Sequence, residues 1–399
     1  MTNISKRAAN IAESQTLAIA AKANKLKAEG KDIVSFTVGE PDFNTPDYII
    51  AAAVDALKKG MTKYTASAGT LEFRKAICEK FKKDNKLNYS PENIVVSNGA
   101  KHSLHNIMQA VVDKGDEVII PAPYWLTYPE LVRVADGVPK FVKTSEKSGF
   151  KLTPEALEKA ITKKTRAIII NSPSNPTGTV YTKGELYALA AVLEKYEDIY
   201  IISDEIYEKL VYNGAEHHSI AGYSPKIFER TIVVNGVSKT YSMTGWRIGY
   251  LAANAKVAKA IDNMQSHTTS NPNSIAQYAT VAALNAGGDF ISKMRAEFDR
   301  RRKYMVKRVR KIRGLSAREP DGAFYVMVNV SKLFGKSFNG KFIRTAQDVG
   351  ELFIENAGAA VVPGEAFGAP KHVRLSYAIS FEDIVKGLNS IAEFVGKLI

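Results

Sequence analysis

The run Ser238–Tyr250 carries residue types that can do chemistry together. It follows an apolar, β-branched stretch, so Lys239 emerges at the end of a predicted buried strand. An amine held among packed side chains loses hydration, which lowers the pKa of a lysine and suits it to Schiff-base chemistry. Arg247, eight residues further on, has the planar guanidinium that binds a phosphate through two parallel hydrogen bonds. For Lys239 taken alone, a surface lysine is the simpler interpretation, so other residues must decide.

The run Gly99-Ala100-Lys101 offers a second place for an anion. It follows the predicted strand Ile94–Ser97 directly and begins a predicted helix. Backbone amides at the start of a helix point outward and bind phosphate. The sequence therefore predicts a phosphate contact at this turn, although a solvent-facing lysine in the first turn is an alternative for Lys101.

Other patterns do not support a site. Residues Gly335–Lys341 have the spacing of a phosphate-binding loop, but Phe342 follows where a hydroxyl is needed to hold magnesium. We therefore interpret this run as a basic surface loop. His102 and His105, and the adjacent pair His217-His218, lack the carboxylate or cysteine partners that a zinc site requires. We expect no metal.

A series of short apolar runs must position the candidate residues. They alternate with helical stretches, and the pattern predicts an α/β fold with a mostly parallel sheet covered by helices on both faces. The predicted strands are Ile94–Ser97, Glu117–Ile120, Lys140–Lys143, Ala167–Asn171, Ile199–Ser203, Thr231–Asn235 and Ile248–Ala252. Several of them end in polar or glycine-rich turns, and the ligand crevice of such a sheet lies beyond the carboxyl ends of its strands.

The C-terminal third predicts a second, smaller α+β domain. Its predicted elements are a basic helix at Phe290–Ile312, strands at Phe324–Asn329, Ala359–Val362 and Val373–Tyr377, and a closing helix from Phe381. We expect a large domain at residues 46–291, and a small domain formed by residues 1–45 and 292–399.

Composition excludes several classes of protein. The chain has 399 residues, of which 45% are hydrophobic and 24% charged, and these fractions exclude a disordered, collagen-like or coiled-coil protein. Cys78 is the single cysteine, so an intrachain disulfide is impossible and a reducing compartment fits better. We expect a cytoplasmic location. Apolar runs stay shorter than the roughly 18 residues of a membrane span.

The formal net charge of +14 raises a different possibility, a nucleic-acid or membrane-surface binder. The basic residues are spread along the chain, without an aromatic-interleaved groove or a known DNA-binding motif. A solvated basic surface is therefore expected, with neither nucleic acid nor membrane as a partner.

Ordered motifs along nearly the whole chain decide between these interpretations. They are Val38–Phe43, Lys63-Tyr64, Gly69 with Arg74, Pro123–Trp125, Asn175–Gly178, Ser203–Tyr207, the Lys239 segment, Gly322–Tyr325 and Val373–Ser376. With these motifs the sequence resembles the fold-type I pyridoxal-phosphate aminotransferases, specifically the bacterial-type aspartate aminotransferase subgroup. The resemblance implies a homodimer with two shared active sites, acting on amino acids and 2-oxo acids.

The resemblance also implies roles for individual residues toward pyridoxal 5′-phosphate. Lys239 resembles the lysine that forms the aldimine and moves the proton, and Asp204 resembles the carboxylate paired with the pyridinium nitrogen. A helix N-cap is the alternative for Asp204. Tyr207 and Asn175 would bind the phenolic oxygen of the cofactor, and Trp125 would stack on its ring. The residues implied for the phosphate end are Gly99, Ala100, Lys101, Ser238, Arg247 and, from the neighbouring subunit, Tyr64.

A further set is implied for the substrate. Arg374 resembles the arginine that binds the α-carboxylate, for which a planar fork is suited and a lysine is not. Lys101 resembles the reader of the distal carboxylate, which favours aspartate and glutamate over apolar amino acids. The complete set implied for substrate binding is Ser14, Thr16, Gly39, Lys101, Trp125, Asn175 and Arg374.

One departure bears on specificity. Members of the subgroup often have Lys-Pro-Ser-Ala-Thr near the N-terminus, and some of them also transaminate prephenate. Here the corresponding run is Ala12-Glu13-Ser14-Gln15-Thr16, which keeps the hydroxyls but is acidic and lacks the usual lysine. We therefore expect aspartate activity, with 2-oxoglutarate as acceptor in a ping-pong cycle. An aminotransferase of the same fold acting on prephenate, aromatic or other amino acids is the alternative, and a basic binding protein is the alternative from a different class.

Overall fold

The computed structural model describes residues 4–399, except for the side chain of Lys6. The helices are α1 (Lys6–Ala9), α2 (Gln15–Ala28), α3 (Asp47–Lys58), α4 (Leu71–Lys80), α5 (Ala100–Val111), α6 (Thr127–Val134), α7 (Pro154–Ala160), α8 (Lys183–Leu193), α9 (Pro225–Arg230), α10 (Ala255–Thr268), α11 (Ser274–Asn285), α12 (Asp289–Val309), α13 (Ala346–Asn356) and α14 (Phe381–Gly396). The strands are β1 (Val34–Ser35), β2 (Ile94–Ser97), β3 (Glu117–Ala122), β4 (Val138–Lys143), β5 (Thr165–Asn171), β6 (Tyr200–Asp204), β7 (Thr231–Gly236), β8 (Gly249–Ala252), β9 (Ser316–Ala317), β10 (Tyr325–Asn329), β11 (Ser337–Phe338), β12 (Lys341–Phe342), β13 (Ala359–Ala360), β14 (Val362–Pro363) and β15 (His372–Ser376).

A large sheet organises the middle of the chain, in the strand order β2-β8-β7-β6-β5-β3-β4. Strand β8 is antiparallel to both of its neighbours, and the other pairs are parallel. The inner strands are buried on both faces because their residues are apolar throughout and helices cover both sides. The predicted α/β architecture and its strands are confirmed, with bounds shifted by a few residues.

The carboxyl ends of β5, β6 and β7 meet at one edge of this sheet. Asn171, the last residue of β5, lies in register with Asp204, the last residue of β6. Strand β7 ends at Gly236, shortly before Lys239. The candidate residues from three different loops are therefore brought to one place by strand alignment.

The C-terminal part forms a smaller α+β unit around the antiparallel sheet β14-β15-β10-β9. The apolar faces of α12, α13 and α14 pack on this sheet, and Val34 and Phe36 from the N-terminal part lie in the same core. The predicted strand Ala359–Val362 is wrong as a single strand. The chain changes sheets at Val361, since β13 pairs with β1 whereas β14 pairs with β15.

Two other expectations concern this part of the chain. The run Gly335–Lys341 was expected as a surface loop, and most of it belongs to the β11–β12 hairpin, which ends at Phe342. The domain boundaries at residues 46 and 292 stay a prediction. Of the helices described here, none is long and apolar enough to cross a bilayer.

Candidate active site

A cavity of about 540 Å³ lies at the carboxyl ends of the large sheet, between that sheet and β15. Most of the residues singled out from the sequence line it together. They are Ser14, Thr16, Gly39, Ala100, Lys101, Trp125, Asn175, Asp204, Tyr207, Ser238, Lys239, Arg247 and Arg374. Gly99 and Tyr64 are not among the lining residues.

The Lys239 amine lies where the sequence predicts a desolvated nucleophile. Its Nζ donates a hydrogen bond to the carbonyl oxygen of Gly39 at 2.5 Å. Burial lowers the pKa of Lys239 to about 8, since the opposing carboxylate of Glu40 is offset by the guanidinium groups of Arg247 and Arg374. About a tenth of the amine is therefore uncharged at pH 7 and about half at pH 8, in the form that a nucleophile or a base requires.

Asp204 presents a buried carboxyl to the same cavity, with 3% of the residue exposed. Tyr128 Oη donates to its Oδ2 at 2.7 Å, and the Ile206 amide donates to its Oδ1 at 3.3 Å. Burial raises the pKa of Asp204 to about 6 despite these donors. The residues after Asp204 form turns rather than a helix, so the N-cap alternative is wrong. A buried carboxyl of this kind is stabilised by a cationic partner.

The predicted anion site at the start of α5 is so closely packed that two glycines, Gly99 and Gly249, have no room for a side chain. Gly99 has a φ of 86°, and a Cβ built on it would lie 2.2 Å from Arg247 Nη2. A Cβ on Gly249 would lie 2.2 Å from the amide nitrogen of Ala100. Arg247 is held by the carbonyl oxygens of Thr244, at 2.7 Å, and Asn98, at 3.3 Å. The glycines thus let the guanidinium pack directly over the amides that begin the helix.

Arg374 lies at the opposite wall, on β15, and is 2% exposed. Its Nη1 donates to Asn175 Oδ1 at 3.0 Å, and its Nη2 donates to the carbonyl oxygen of Thr37 at 2.9 Å. Its Nε is buried without a hydrogen-bond partner in residues 4–399. The guanidinium carbon lies 4.4 Å from the ring centroid of Tyr325. A buried, unneutralised guanidinium that lines a cavity is suited to a small carboxylate.

Two tyrosines connect the walls of the cavity. The hydroxyls of Tyr207 and Tyr325 lie 3.0 Å apart, and burial raises the pKa of Tyr207 well above its ordinary value. Asn175 is oriented by its own backbone amide, which donates to Asn171 Oδ1 at 2.8 Å. The cavity therefore offers neutral hydroxyl and amide groups between Asp204 and Arg374.

The outer end of the cavity contains Lys101, Trp125 and the segment around Ser14. Lys101 Nζ lies 5.1 Å from the Trp125 ring centroid, and burial together with Arg247 lowers the pKa of Lys101. Ser14 caps α2, since its hydroxyl accepts from the Leu17 amide. Thr16 Oγ1 is buried and has no hydrogen-bond partner in the described part of the chain. The Lys101 ammonium and the Thr16 hydroxyl are thus the groups that could bind a ligand at this end of the cavity.

Tyr64 is 90% exposed and lies away from the cavity of its own chain. This position agrees with a residue that reaches into another subunit, although it leaves that role a prediction. Ser238 is buried beside Lys239 and lines the cavity.

The sequence reasoning assigned no role to several lining residues. Tyr128, Tyr325, Asn171 and Glu40 all contribute to the cavity wall. Tyr128 lies three residues after Trp125, and residues at this spacing share one face of a helix. The sequence could therefore have placed Tyr128 beside Trp125. Glu40 and Tyr325 lie inside quoted motifs, and only their neighbours were given roles.

The expectation that His217 has no carboxylate partner is wrong. Its Nε2 lies 2.9 Å from Glu205 Oε2, and one ligand atom each from Glu205, Glu208 and His217 lie within 4.8 Å of one another. The loop that contains His217 packs against the turn after β6. Residue spacing alone does not predict this contact. Lys80 forms an ion pair with Glu208, so a positive charge is already present there.

Comparison with known proteins agrees with this geometry. A family model described as aminotransferase class I and II matches residues 31–391. The chain is 47% identical over 394 residues to an aspartate aminotransferase of Bacillus subtilis, covering 99% of each chain. It is 44% identical over 394 residues to an aspartate/prephenate aminotransferase of Nitrosomonas europaea, covering 98% of this chain and 99% of that protein. The crystal structure of the aspartate aminotransferase from Rhizobium meliloti matches this chain with a TM-score of 0.98 and 42% identity, and the match covers 100% of each chain. The chain therefore belongs to the class I and II aminotransferase family and has its fold-type I architecture.

Proposed function

We propose that this protein is a pyridoxal-phosphate-dependent aspartate aminotransferase. It converts L-aspartate and 2-oxoglutarate to oxaloacetate and L-glutamate in a ping-pong cycle. The observation that carries the proposal is the convergence on one cavity of a lysine with a lowered pKa, a buried carboxyl and a buried guanidinium, namely Lys239, Asp204 and Arg374.

The residues present fit pyridoxal phosphate, the cofactor of class I and II aminotransferases. Asp204 is a buried carboxyl suited to a cationic ring nitrogen. The helix start at Ala100, opened by Gly99 and covered by Arg247, is suited to a phosphate. Lys239 would hold the group covalently, Tyr207 and Asn175 would bind its phenolic oxygen, and Trp125 and Ser238 would complete the site. When bound, the cofactor supplies the electron sink for breaking the bond from the α-carbon to hydrogen.

The residues of the chain have separate roles in the proposed reaction. Lys239 Nζ, with a pKa near 8, would accept the proton that leaves the α-carbon of aspartate and would donate a proton to the α-carbon of 2-oxoglutarate in the second half-reaction. Arg374 binds the α-carboxylate, with Gly39 leaving room beside it. Arg374 and Asp204 are themselves buried, so their charges act with little screening by solvent.

The outer end of the cavity supports a dicarboxylic substrate. Lys101 is the cation that lines this end, and we assign it to the distal carboxylate of aspartate or glutamate. Ser14 and Thr16 border the same space and would add hydroxyl contacts. An apolar amino acid would leave the Lys101 ammonium without a partner, so its binding is disfavoured.

A homodimer fits the exposed surface around α3. Apolar side chains recur there at helical spacing, with Ile50, Val54 and Leu57 each more than two-fifths exposed. Tyr64 follows α3 closely and is almost fully exposed, so a second copy covering this surface would bring Tyr64 toward the phosphate end of the neighbouring site. We also place the enzyme in the cytoplasm, which its single free cysteine, Cys78, fits.

Prephenate is the second candidate substrate, because a relative is named for both activities. The segment Ala12–Thr16 disfavours it here. The usual lysine of this run is absent and Glu13 adds a negative charge, and the carboxylate of Glu130 accepts from the Ala12 amide at 3.2 Å. The ring carboxylate of prephenate, which reaches further out than the distal carboxylate of aspartate or 2-oxoglutarate, would therefore meet negative charge at this rim, and we expect 2-oxoglutarate to be preferred over prephenate as the acceptor.

The test is steady-state turnover of the protein supplied with pyridoxal phosphate. Aspartate and phenylalanine are compared as amino donors, and 2-oxoglutarate and prephenate as acceptors, with oxaloacetate formation from aspartate measured directly. We expect aspartate to have the highest kcat/KM, and Lys239→Ala to abolish turnover. Lys226→Ala, at an exposed lysine paired with Glu197, is the matched control that should retain it. A higher kcat/KM for phenylalanine than for aspartate, or for prephenate than for 2-oxoglutarate, would overturn the specificity, and a protein that takes up no cofactor would favour the binding-protein alternative.

A further inference from the structure

The segment between α3 and α4, residues 59–70, carries Tyr64 at the protein surface. It contains neither helix nor strand, so no regular pattern of backbone hydrogen bonds holds it. The Tyr64 side chain is 90% exposed. Ordering such a residue at the moment of binding costs conformational entropy, which weakens the binding. The contacts that hold this segment therefore decide how effectively Tyr64 can bind a ligand.

Gln277, on α11, holds the segment from inside the protein and is 0% exposed. Its Oε1 accepts a hydrogen bond from the Thr70 amide at 2.9 Å. Its Nε2 donates to the hydroxyl of Thr65 at 3.2 Å and to the carbonyl oxygen of Pro272 at 2.8 Å. Both hydrogens and the oxygen of this buried amide are thus used. Two of the three partners lie in the segment, and one of them directly follows Tyr64.

Gln265, on α10, is a second fully buried amide that contacts the segment. Its Nε2 donates to the carbonyl oxygens of Ser67, at 2.6 Å, and Val96, at 2.7 Å. Its Oε1 accepts from the Ser97 hydroxyl and from Asn106 Nδ2, each at 2.9 Å. This amide therefore connects the segment to the end of β2 and to α5, the helix that begins at the predicted phosphate site.

Further contacts attach the segment on both sides of Tyr64. Before it, the Met61 carbonyl oxygen accepts from the Ser274 hydroxyl at 3.1 Å. After it, Gly69 has a φ of 97°, and a Cβ built there would lie 2.7 Å from Val96 Cγ2. The backbone thus packs directly on β2 at a place that only glycine fits.

The two glutamines fix the position of the segment. A buried amide is unfavourable unless its polar atoms are hydrogen-bonded, and both Gln265 and Gln277 need partners from the segment to meet this condition. The segment is therefore held in one place while the side chain that it presents stays in solvent. This combination is typical of a preorganised binding element, in which the entropy of ordering is lost on folding and not on binding.

We propose that Gln277 is a positioning residue that fixes residues 59–70, so that Tyr64 is preset to enter the active site of a second copy of the chain. Gln265 supplies a second attachment. The part concerning the second copy rests on the proposed function, whereas the attachment of the segment does not. Gln277 does not line the cavity and acts through Tyr64.

The attachment is measured on the cofactor-free protein by hydrogen exchange and peptide mass spectrometry. Gln277→Met replaces the amide by an apolar side chain of similar length, so peptides covering residues 61–70 should exchange about tenfold faster than in wild type. Thr280→Val is the matched control, since Thr280 is fully buried on the same helix and its hydroxyl donates to the Ala276 carbonyl oxygen at 2.7 Å. Its segment should exchange like wild type. Unchanged exchange in Gln277→Met would overturn the inference whatever the protein catalyses.

A milder variant covers the case in which Gln277→Met does not fold. Thr65→Val removes one partner on the segment side and leaves the buried amide of Gln277 in place. It should also speed exchange in residues 61–70. Exchange like wild type in Thr65→Val would count against the inference in the same way.

The consequence for the neighbouring site is measured as the dissociation constants of pyridoxal phosphate and of pyridoxal, which lacks the phosphate. Because a hydrogen bond to a charged group contributes about tenfold or more to affinity, a misplaced Tyr64 should weaken pyridoxal phosphate binding roughly 3- to 10-fold in Gln277→Met. Pyridoxal binding should change by less than about 2-fold, since Tyr64 is proposed to contact the phosphate. In Tyr64→Phe protein, adding Gln277→Met should cause no further loss beyond about 2-fold, because both residues act through one contact.

The outcomes separate this inference from the proposed function. Equal losses for the two ligands, or losses that add in Tyr64→Phe/Gln277→Met, would show a merely structural role and overturn the inference. If Tyr64→Phe alone binds pyridoxal phosphate like wild type in an intact dimer, the proposed contact between subunits fails, and with it the role of Gln277 toward the second copy. Wild-type protein that binds no pyridoxal phosphate would overturn the proposed function, and hydrogen exchange would still decide whether Gln277 holds the segment.

Discussion

The hydrogen bond from Tyr128 to Asp204 can be removed with little other change, by Tyr128→Phe. The two side chains are both buried, and Tyr128 Oη lies 2.7 Å from Asp204 Oδ2. The phenylalanine keeps the ring, which packs at 89° against Trp125 with centroids 5.5 Å apart. The substitution therefore tests how far Asp204 depends on this single donor for its ionisation.

The magnitude follows from the strength of a hydrogen bond to a charged group, about 1.5 to 3 kcal/mol. Since one pKa unit corresponds to about 1.4 kcal/mol, loss of the donor raises the Asp204 pKa by roughly 1 to 2 units. The starting value is about 6, so nine-tenths of Asp204 is ionised near pH 7 in wild type. In the variant that fraction falls to between roughly a half and a tenth.

The assay is the dissociation constant of pyridoxal phosphate, measured from about pH 6 to 9 for each protein. Because only ionised Asp204 pairs with the cationic ring, Tyr128→Phe should bind roughly 2- to 10-fold more weakly than wild type near pH 7. The difference should vanish near pH 9, where Asp204 is ionised in both proteins.

Tyr181→Phe is the matched control, since Tyr181 Oη is buried and accepts from the Leu152 amide at 2.8 Å away from the cavity. That variant should lose stability without any pH-dependent loss of cofactor affinity. If Tyr128→Phe binds the cofactor like wild type near pH 7, or more weakly by the same factor at every pH, the reasoning about Asp204 is refuted.

Further predictions concern other parts of the protein. Lys101→Ala should lower kcat/KM for aspartate by 30-fold or more while leaving phenylalanine nearly unchanged, because losing one side of a desolvated ion pair costs about 2–5 kcal/mol; equal losses for both substrates in steady-state assays would contradict this. Arg374→Lys should instead lower kcat/KM for both amino acids by similar factors, since the α-carboxylate is common to them, and selective loss for aspartate would contradict its assignment. Lys80→Met should lower the free energy of unfolding by about 3–5 kcal/mol in urea titrations, because it leaves buried Glu208 unpaired, and an unchanged midpoint would show that the pair contributes little. Tyr64→Ala should weaken pyridoxal phosphate binding, provided sedimentation shows an intact dimer, and unchanged affinity in that dimer would place Tyr64 outside the site.

Much of the fold follows from local sequence pattern. The strands of the large sheet are short, apolar and separated by helical segments, so periodicity locates them to within a few residues. Helix α14 begins at Phe381, where it was expected, because Ser380 caps it by accepting from the Asp383 amide. The single strand expected at Ala359–Val362 was wrong, since pairing with β1 and β15 depends on partners distant in sequence.

The candidate site, like the fold, could be predicted from the sequence only in part. Lys239 was expected to have a desolvated amine, and burial lowers its pKa to about 8. The individual roles carried over from the resemblance stay predictions, although the structure brings most of those residues to one cavity. Tyr128 received no role, and His217 was expected to lack a carboxylate partner, because their contacts with Asp204 and Glu205 depend on how the chain folds back and not on local spacing.

The large positive charge of the chain is partly clarified by this arrangement. Lys101, Lys239, Arg247 and Arg374 face one cavity, and small anions are the partners proposed for it. Four residues do not account for a net charge of +14, and nothing in the structure explains the rest of the surplus.

The central claim is that Lys239 holds the cofactor and exchanges it with aspartate. Borohydride reduction of the protein loaded with pyridoxal phosphate, followed by peptide mass spectrometry, tests this claim most directly. The expected result is a pyridoxyl group on the peptide containing Lys239, and its loss from that peptide when aspartate is added before the reduction. A stable label on another lysine, or a label on Lys239 that aspartate does not remove, would contradict the account.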